Sequence, residues 1–331
     1  MIQKYMDFLK SDAFLAPLSI PSGTVLEFAV LGQGEYNLNY TFIHPVTGQK
    51  YVLRINTGSQ MHLTDQIGYE YAALECLAPS GRTPKPPCCW PEQGMLVMEY
   101  LPGRALDYHT DLDIAAQILA DIHCTPVPKD CRLLRPPYPA QAIYDECLQM
   151  VRHYFDWDGA DPVVCHLLQQ LIDEIGKLPL EEPSDAPLCM VNTELNSGNF
   201  LIDGENSHLV DWEKPLLSEP AQDLGHFLAP TTTFWKTDVI LTPEQVNDFV
   251  FKYIEAVAGR MDCTSLSARL PLFFTVTCLR GVTWCAMAYR EYCQPGRQLR
   301  NEDTFRKLQA YLEPAFLQNL LDNYVRKDFL A

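Results

Sequence analysis

Long apolar runs and closely spaced cysteines are both missing from this 331-residue chain. No stretch approaches the roughly 20 apolar residues that span a bilayer, and the first residues lack the apolar region of a secretory signal. The twelve cysteines contain no C-x-x-C pair, so the sequence predicts neither a zinc site nor a disulfide framework. We therefore expect a soluble, cytoplasmic protein with reduced cysteines and no membrane partner.

Positive charge is also scarce, because 25 Lys and Arg residues stand against 42 Asp and Glu residues, a net charge of −17. A surface this negative repels nucleic acids and anionic membranes, so neither is expected as a partner. It would attract a cationic small molecule, although an acidic surface also serves solubility alone. Internal repeats and low-complexity segments are absent, which excludes repeat architectures.

The order of the hydrophobic patterns predicts an α+β protein with two lobes. A short helical lead-in over residues 1–20 precedes strand-like alternation, a helix over about 63–78 and one more strand. After Pro102-Gly103 helical patterns dominate, apart from a hairpin within 189–213. We predict a small antiparallel β-rich lobe over residues 1–101 and a larger, mostly helical lobe over residues 102–331.

The stretch "NTELNSGNFLI", followed by "LVDWE", carries the most specific chemical pattern. Asn199 follows Glu194 by five positions, and Asp211 ends the next strand-like segment. Protein kinases place a catalytic acid five residues before a metal-binding Asn, and a second metal-binding acid further on. An Asn-rich turn in a hairpin is the alternative. The spacing favours phosphoryl transfer, with Glu194 orienting an acceptor hydroxyl and Asn199 and Asp211 binding Mg²⁺.

Other elements that phosphoryl transfer needs precede this stretch in the expected order. The turn at Gly32–Gly34 in "LGQGEYNLNY" would cover the phosphates, and Arg54 in "YVLRIN" would pair with them. Glu70 on the following helix would hold that cation in place. At "MEYLPG", the Glu99 carbonyl and the Leu101 amide would bind the nucleotide base. Each piece alone has an ordinary structural explanation, such as a turn or a surface charge.

Taken together, these pieces resemble the aminoglycoside phosphotransferase and choline kinase superfamily of small-molecule kinases. The similarity covers about residues 22–229, through "LGQGEYNLNY", "YVLRI", "YEYAALECL", "VMEYLPG", "ILADIH", "NTELNSGNFLI", "LVDWE" and "EPAQDLGHFL". It implies a protein-kinase-like two-lobed fold, ATP or GTP as co-substrate, and Mg²⁺. The activity implied is magnesium-dependent phosphoryl transfer to a hydroxyl of a small molecule.

The resemblance also assigns individual positions. Gly34 and Asn37 match the family's loop, and Arg54 matches its strand cation, which is often Arg. The family's L-A-x-x-H helix matches Leu119, Ala120 and His123, and Trp212 matches the aromatic after the metal-binding acid. The later D-L-A-like motif matches Asp223-Leu224, with Gly225 in place of Ala, and this Asp is expected to be structural.

The sequence departs from the family at the head of the catalytic loop. The family usually has His-Gly-Asp, whereas this chain has Asn192-Thr193-Glu194. The extra methylene moves the carboxylate by up to about 1.5 Å, and a misplacement of about 1 Å can cost roughly a hundredfold in rate. Three alternatives remain: a kinase that uses Glu194, a slow kinase for an unusual acceptor, and a nucleotide-binding pseudokinase or sensor.

The acceptor itself is indicated only weakly. Trp284 and Glu291 lie on one predicted helix, and an aromatic ring with nearby acids suits a cation such as choline or an aminoglycoside. Trp284 in the helical core is the alternative, and sugars and amino alcohols are equally compatible. The sequence does not indicate the oligomeric state.

Overall fold

A computed structural model describes residues 2–34, 36–59, 61–294 and 301–327. The chain divides into two compact units. The first contains Met1–Arg104, Thr125–Leu133 and Leu201–Pro215. The second contains Ala105–Cys124, Leu134–Phe200 and Leu216–Ala331. A boundary between lobes after residue 101 remains a prediction.

A five-stranded antiparallel sheet forms the centre of the first unit. The strands are β1 (Ala29–Gln33), β2 (Asn37–Ile43), β3 (Lys50–Asn56), β4 (Cys88–Trp90) and β5 (Met95–Glu99). They are ordered β1-β2-β3-β5-β4. The strands occupy the region of predicted strand alternation. Of the two glycines of the predicted turn, Gly32 lies within β1, and Gly34 follows the strand. The short strand β4, within a Pro-rich segment, was not predicted.

One face of this sheet packs against the N-terminal helices. These helices are α1 (Met6–Leu9) and α2 (Asp12–Leu15), flanked by 3₁₀ turns at Ile2–Tyr5 and Ala16–Leu18. Alternate residues of β2 point into the shared core. The core residues are Leu9, Phe14, Leu15, Leu18, Ile20, Leu26, Leu38, Tyr40, Phe42, Leu53, Ile55, Met95 and Val97. The opposite face of the sheet therefore receives the intervening polar residues of β2 and β3.

Helix α3 (Gln66–Leu77) follows β3 and lies within the predicted span. The Asp65 side chain caps its N-terminus by accepting from the Gly68 amide at 2.7 Å. Ile67, Leu74 and Leu77 are buried on one face of the helix. Three short strands, β6 (Arg104–Ala105), β8 (Phe200–Ile202) and β9 (His208–Leu209), form a separate sheet in the order β6-β8-β9.

Helices make up most of the second unit. They are α4 (Leu112–His123), α5 (Pro139–Phe155), α6 (Pro162–Ile175), α7 (Pro220–Leu228), α8 (Pro230–Lys236), α9 (Pro243–Val257), α10 (Leu266–Tyr292), α11 (Glu302–Tyr311) and α12 (Pro314–Leu320), with a π-helical turn at Leu321–Val325. Strands β7 (Cys189–Val191) and β10 (Leu216–Ser218) form an antiparallel pair. Strand β7 therefore pairs with β10, which lies outside residues 189–213, where the sequence predicted a hairpin. Within those residues, the strands that pair with each other are β8 and β9.

Helix α10 is the central helix of the second unit and packs against α5 and α7. It has 27 residues, and its mean hydropathy of 1.4 over 18 residues would suit a membrane span by length and composition. Of that window, 72% is buried inside the protein, as in the core helix of a soluble protein. Packing within this unit accounts for its apolar composition.

Gly225 lies where α7 passes close to the backbone of α10. A Cβ atom at this position would lie 2.6 Å from the backbone nitrogen of Phe274 and 2.7 Å from the carbonyl carbon of Phe273. Both atoms belong to helix backbone and cannot move independently. The glycine in place of the family's alanine therefore has a packing cause.

We expect Gly225→Ala to lower the free energy of unfolding by about 1–3 kcal/mol, because the methyl group would push the two helices apart. Urea unfolding would measure this loss. Ser267→Ala, on the exposed side of α10, is the control and should change the value by less than about 0.5 kcal/mol. An unchanged Gly225→Ala variant would contradict the close approach.

Candidate active site

Arg54, in the middle of β3, lies at the centre of a buried ionic network. Its Nη1 atom is 2.6 Å from Oε1 of Glu70, and its two terminal nitrogens are each 3.2 Å from Oδ1 of Asp211. Its Nε donates to Oδ1 of Asn39 at 3.1 Å. Only 7% of Arg54 is exposed, so these contacts fix the guanidinium in one orientation.

Negative charge exceeds positive charge around Arg54. Burial lowers the pKa of this guanidinium, but the charges of Glu70, Asp211 and Glu213 outweigh burial and raise its pKa above the usual value. Burial raises the pKa of Glu70, against the effect of Arg54 and with that of Asp211. The second carboxylate oxygen of Glu70 is buried without a hydrogen-bond partner among the described residues. Three acidic side chains, Glu70, Asp211 and Glu213, act on this one guanidinium.

A ladder of polar residues on one sheet face explains why Arg54 has these neighbours. Asn39 lies opposite Arg54 in the pairing of β2 with β3, and Asn37 lies opposite Asn56. Positions two apart in a strand point to the same face, so all four side chains share it. Sequence reasoning identified Asn37 and Arg54 but missed Asn39. The alternation of two asparagines in "NLN" was the available indication.

Asp211 follows β9 in a left-handed backbone conformation with a φ of 66°. Such a conformation is uncommon outside glycine and is better tolerated by Asp and Asn than by most residues. The next residue, Trp212, is 1% exposed and its indole nitrogen donates to the Leu209 carbonyl at 3.0 Å. The buried Trp thus anchors the segment that presents the Asp211 carboxylate to Arg54.

Strand β1 has a bulge between Val30 and Gly32, and its pairing with β2 continues to Gln33 before the glycine turn. The Gly34 amide donates to the Asn37 carbonyl at 2.8 Å and closes the turn. A Cβ atom at Gly32 would meet no described atom within 4 Å, and at Gly34 it would lie 3.7 Å from that carbonyl oxygen. Contacts with the described residues therefore do not require glycine at these two positions. Close approach of a ligand and an ordinary turn are both compatible with this open space.

The two residues predicted to bind the nucleotide base, Glu99 and Leu101, lie at the end of β5 and just after it. Glu99 is the last residue of this strand, and its amide donates to the Lys85 carbonyl at 2.9 Å. Its side chain accepts from the Lys85 amide at 3.1 Å. Leu101 follows and is half-buried. The contact of these two residues with a nucleotide base remains a prediction.

In the second unit, Asp223 holds the start of the predicted catalytic loop, residues 192–199. It lies in α7 with no exposed surface, and its two oxygens accept from the amides of Asn192 at 2.8 Å and Thr193 at 3.0 Å. Its Oδ2 is also 3.3 Å from Nε2 of His123, whose other ring nitrogen is 2.8 Å from the Tyr253 hydroxyl. These contacts account for His123 in the L-A-x-x-H helix and give Asp223 the structural position that the sequence indicated.

The catalytic loop itself is held by its own polar residues. Thr193 has a left-handed φ of 68°, and the Glu194 amide donates to Oδ1 of Asn192 at 3.0 Å. The Asn199 side-chain amide donates to the Glu194 carbonyl at 2.7 Å. Only the NH₂ end of Asn199 can donate to a carbonyl, so this bond fixes which end of the side chain carries the oxygen.

Arg280, on α10, lies beside this loop within the same unit. Its Nε donates to Oε2 of Glu146 at 3.0 Å, and its Nη1 is 3.5 Å from the Thr193 carbonyl oxygen. Burial lowers the pKa of Arg280, while Glu146 and Glu194 raise it, with a net upward shift. A positive charge therefore lies close to the Glu194 carboxylate.

The two predicted acceptor residues differ in exposure. Trp284 is half-buried on α10 and forms an edge-to-face pair with Trp235, with ring centroids 5.1 Å apart. Glu291 lies seven residues further along α10 and is exposed. Packing against Trp235 agrees with the alternative of a core role for part of the Trp284 ring. The acceptor role of both residues remains a prediction.

The family model of the phosphotransferase enzyme family matches residues 27–261, more than two thirds of the chain. The chain belongs to this family. Its members are small-molecule phosphotransferases, so the resemblance and the enzyme class predicted from the sequence are confirmed. A comparison with curated protein sequences gives no significant match.

Solved structures similar to this phosphotransferase have the same fold at low sequence identity. A choline kinase from Cryptosporidium parvum shares 12% identity at a TM-score of 0.68, covering 98% of both chains. An ethanolamine kinase from Plasmodium vivax shares 15% at 0.59, covering 88% of this chain and 84% of the other. An amicoumacin kinase solved with AMP-PNP and Ca²⁺ shares 16% at 0.60, covering 91% and 90%. The predicted protein-kinase-like α+β fold is confirmed.

We expect Asp223→Asn to destabilise this phosphotransferase by roughly 3 kcal/mol. An amide has one acceptor oxygen where the carboxylate has two, so one buried backbone amide would face an NH₂ group. The free energy of unfolding in urea measures the effect. Asp203→Asn, at an exposed Asp whose side chain makes no cap, is the matched control and should be neutral. Equal stability of the two variants would contradict the assigned position of Asp223.

Proposed function

We propose that this phosphotransferase transfers the γ-phosphoryl group of ATP or GTP to a hydroxyl of a small molecule, with Mg²⁺. The observation that supports the proposal most directly is the buried Arg54 network in a member of this family. A guanidinium fixed by Glu70 and Asp211 binds phosphate oxygens without first losing side-chain freedom. The kinases among the similar structures act through the same fold.

Nucleotide binding is proposed to involve the first unit. Arg54 would pair with the α- and β-phosphates, and the turn at Gly32 and Gly34, with Asn37 behind it, would cover them with backbone amides. The Glu99 carbonyl and the Leu101 amide would hold the base. The amicoumacin kinase was solved with AMP-PNP, which supports a nucleotide co-substrate.

The residues present fit a magnesium ion by charge and by donor type. Three acidic side chains act on Arg54, which suits this region to a further cation. Asp211 would supply a carboxylate oxygen and Asn199 an amide oxygen, the ligands that Mg²⁺ prefers. The bound ion would neutralise charge on the phosphoryl oxygens during transfer.

Glu194 is proposed to orient the acceptor hydroxyl. In a loose transition state the acid mostly positions the nucleophile, so a Glu can replace Asp if the backbone is placed to suit its length. The backbone at Glu194 is held by the side chains of Asn192 and Asn199. These two bonds limit the carboxylate to the motion of its own side-chain torsions.

The acceptor is proposed to be a small cationic molecule. The similar structures include kinases named for choline, ethanolamine and amicoumacin, which supports an amine-bearing acceptor. Trp284 and Glu291 would contribute an aromatic face and a negative charge. A sugar without a cation is the alternative. We also propose a cytoplasmic location, in keeping with the reduced cysteines.

A nucleotide-binding pseudokinase or sensor is the second candidate, and Glu194 in place of Asp is the observation that favours it. In that case nucleotide and Mg²⁺ would bind, and no acceptor would be phosphorylated. The distinction requires turnover, because both candidates use the same nucleotide residues.

We expect Arg54→Lys to raise the KM for nucleotide by about tenfold or more. A lysine ammonium cannot bond Asn39, Glu70 and Asp211 at once and loses the bidentate fit to phosphate. Steady-state kinetics with varied nucleotide would measure the change. Arg132→Lys, at an exposed position, is the control. An unchanged KM would argue against Arg54 as the phosphate-binding cation.

We expect transfer from labelled ATP or GTP to one member of a panel of aminoglycosides, choline-like amines, sugars and amino alcohols. Glu194→Gln and Asp211→Asn should each lower kcat by a hundredfold or more, because one loses the positioning charge and the other a metal ligand. Glu181→Gln, an exposed acid in the second unit, should have no effect.

Glu194→Asp separates the remaining alternatives. A gain in rate would identify Glu194 as a detuned form of the family's Asp, and a loss would indicate an acceptor matched to the longer side chain. Tight nucleotide binding with no turnover in the wild type or in Glu194→Asp would overturn the kinase proposal for this panel and support the sensor.

A further inference from the structure

Glu213 is one of the acids near Arg54, and it also bonds Asn37, the residue at the end of the glycine turn. It lies two residues after Asp211 in the first unit and is partly buried. Its carboxylate oxygen Oε2 accepts a hydrogen bond from Nδ2 of Asn37. Its backbone carbonyl accepts from Nε2 of Gln66 on α3 at 2.6 Å. Both backbone and side chain of Glu213 are therefore tied to neighbouring elements of the unit.

Asn37 connects this carboxylate to the glycine turn. It begins β2, is 6% exposed, and its carbonyl accepts from the Gly34 amide at 2.8 Å. Its Oδ1 accepts from Nδ2 of Asn56 at 3.0 Å. With the oxygen end bound by Asn56, the NH₂ end must face Glu213, so the direction of the hydrogen bond is determined. Asn37 thus closes the turn through its backbone carbonyl, and Glu213 holds the side chain of the same residue.

Two carboxylates from one short segment consequently hold two neighbouring strands. Asp211 binds Arg54 of β3, and Glu213 binds Asn37 of β2. Trp212, between the two acids, is buried. Any shift of the segment would move the phosphate-binding cation and the base of the glycine turn together.

We infer that Glu213 is a positioning residue for nucleotide binding, which acts through Asn37 to set the glycine turn relative to Arg54. The inference rests on the proposed function, because it assumes that the turn and Arg54 bind the nucleotide phosphates. Glu213 touches neither reacting atom in this role. Its contribution is to remove freedom from the turn before the nucleotide arrives.

The test is the affinity for AMP-PNP at fixed Mg²⁺, measured by calorimetry. Glu213→Ala and Asn37→Ala should each weaken binding by about tenfold, the scale of a hydrogen bond with a charged partner. Because both remove the same bond, the double variant should also lose about tenfold and not a hundredfold. Glu205→Ala, an exposed acid in the same segment, is the matched control.

A double variant, Asn37→Asp with Glu213→Gln, exchanges the amide and the carboxylate between the two positions. We call it the reversed pair, and it distinguishes this role from direct binding of the cation by Glu213. Asn37→Asp alone places two carboxylates together and should weaken AMP-PNP binding. Adding Glu213→Gln restores a donor and an acceptor in reversed order, keeps the total charge, and leaves an oxygen for Asn56. We expect the reversed pair to recover most of the wild-type affinity, with an unchanged Mg²⁺ dependence.

Two results would overturn the coupling. One is a double alanine variant whose loss of AMP-PNP affinity is the product of the two single losses. The other is a reversed pair that binds AMP-PNP no more tightly than Asn37→Asp alone. A wild-type protein that does not bind AMP-PNP would overturn the proposed function, and this inference with it. Melting temperatures recorded for every variant identify any that is unfolded. If Asn37→Ala is one of these, the reversed pair alone decides the result.

Discussion

A buried positive charge at Arg54 is the constraint on which the first unit depends. An unpaired buried charge costs several kcal/mol, so its partners must be present and well aligned. These partners come from three places in the chain: Asn39 on β2, Glu70 on α3, and Asp211 after β9. Satisfying one guanidinium therefore fixes the relative positions of a sheet, a helix and a loop.

In the second unit a buried negative charge, that of Asp223, likewise requires well-aligned partners. The buried Asp223 carboxylate is satisfied by two backbone amides and by His123, and these bonds hold the head of the catalytic loop. Thr193, at that head, has the same left-handed backbone as Asp211 in the first unit. Such conformations cost about 1–3 kcal/mol and persist only where the surroundings impose them. In both units, bonds to a buried charged group restrain the strained segment.

Much of this arrangement was predictable, because it follows from local patterns. The strands, the helix α3 and most later helices follow from hydrophobic periodicity, whereas the catalytic roles inferred from the spacing of Glu194, Asn199 and Asp211 stay predictions. The pairing of β7 with β10 was not, since nothing local relates residues 189–191 to 216–218. Glu213 was missed for the same reason: its partner Asn37 lies 176 residues away, and an acid after a buried Trp has no distinctive pattern.

The composition of the first unit has a consequence for biosynthesis. The unit contains Met1–Arg104 and, nearly a hundred residues later, Leu201–Pro215. Most of the residues between these two segments belong to the second unit. A ribosome therefore exposes Arg54 and Glu70 long before Asp211 is made. During that interval the nascent unit lacks one of the acids that its buried cation requires. The N-terminal part of the chain cannot reach its final ionic balance as an early, independent folding step, and its completion awaits synthesis of the catalytic loop.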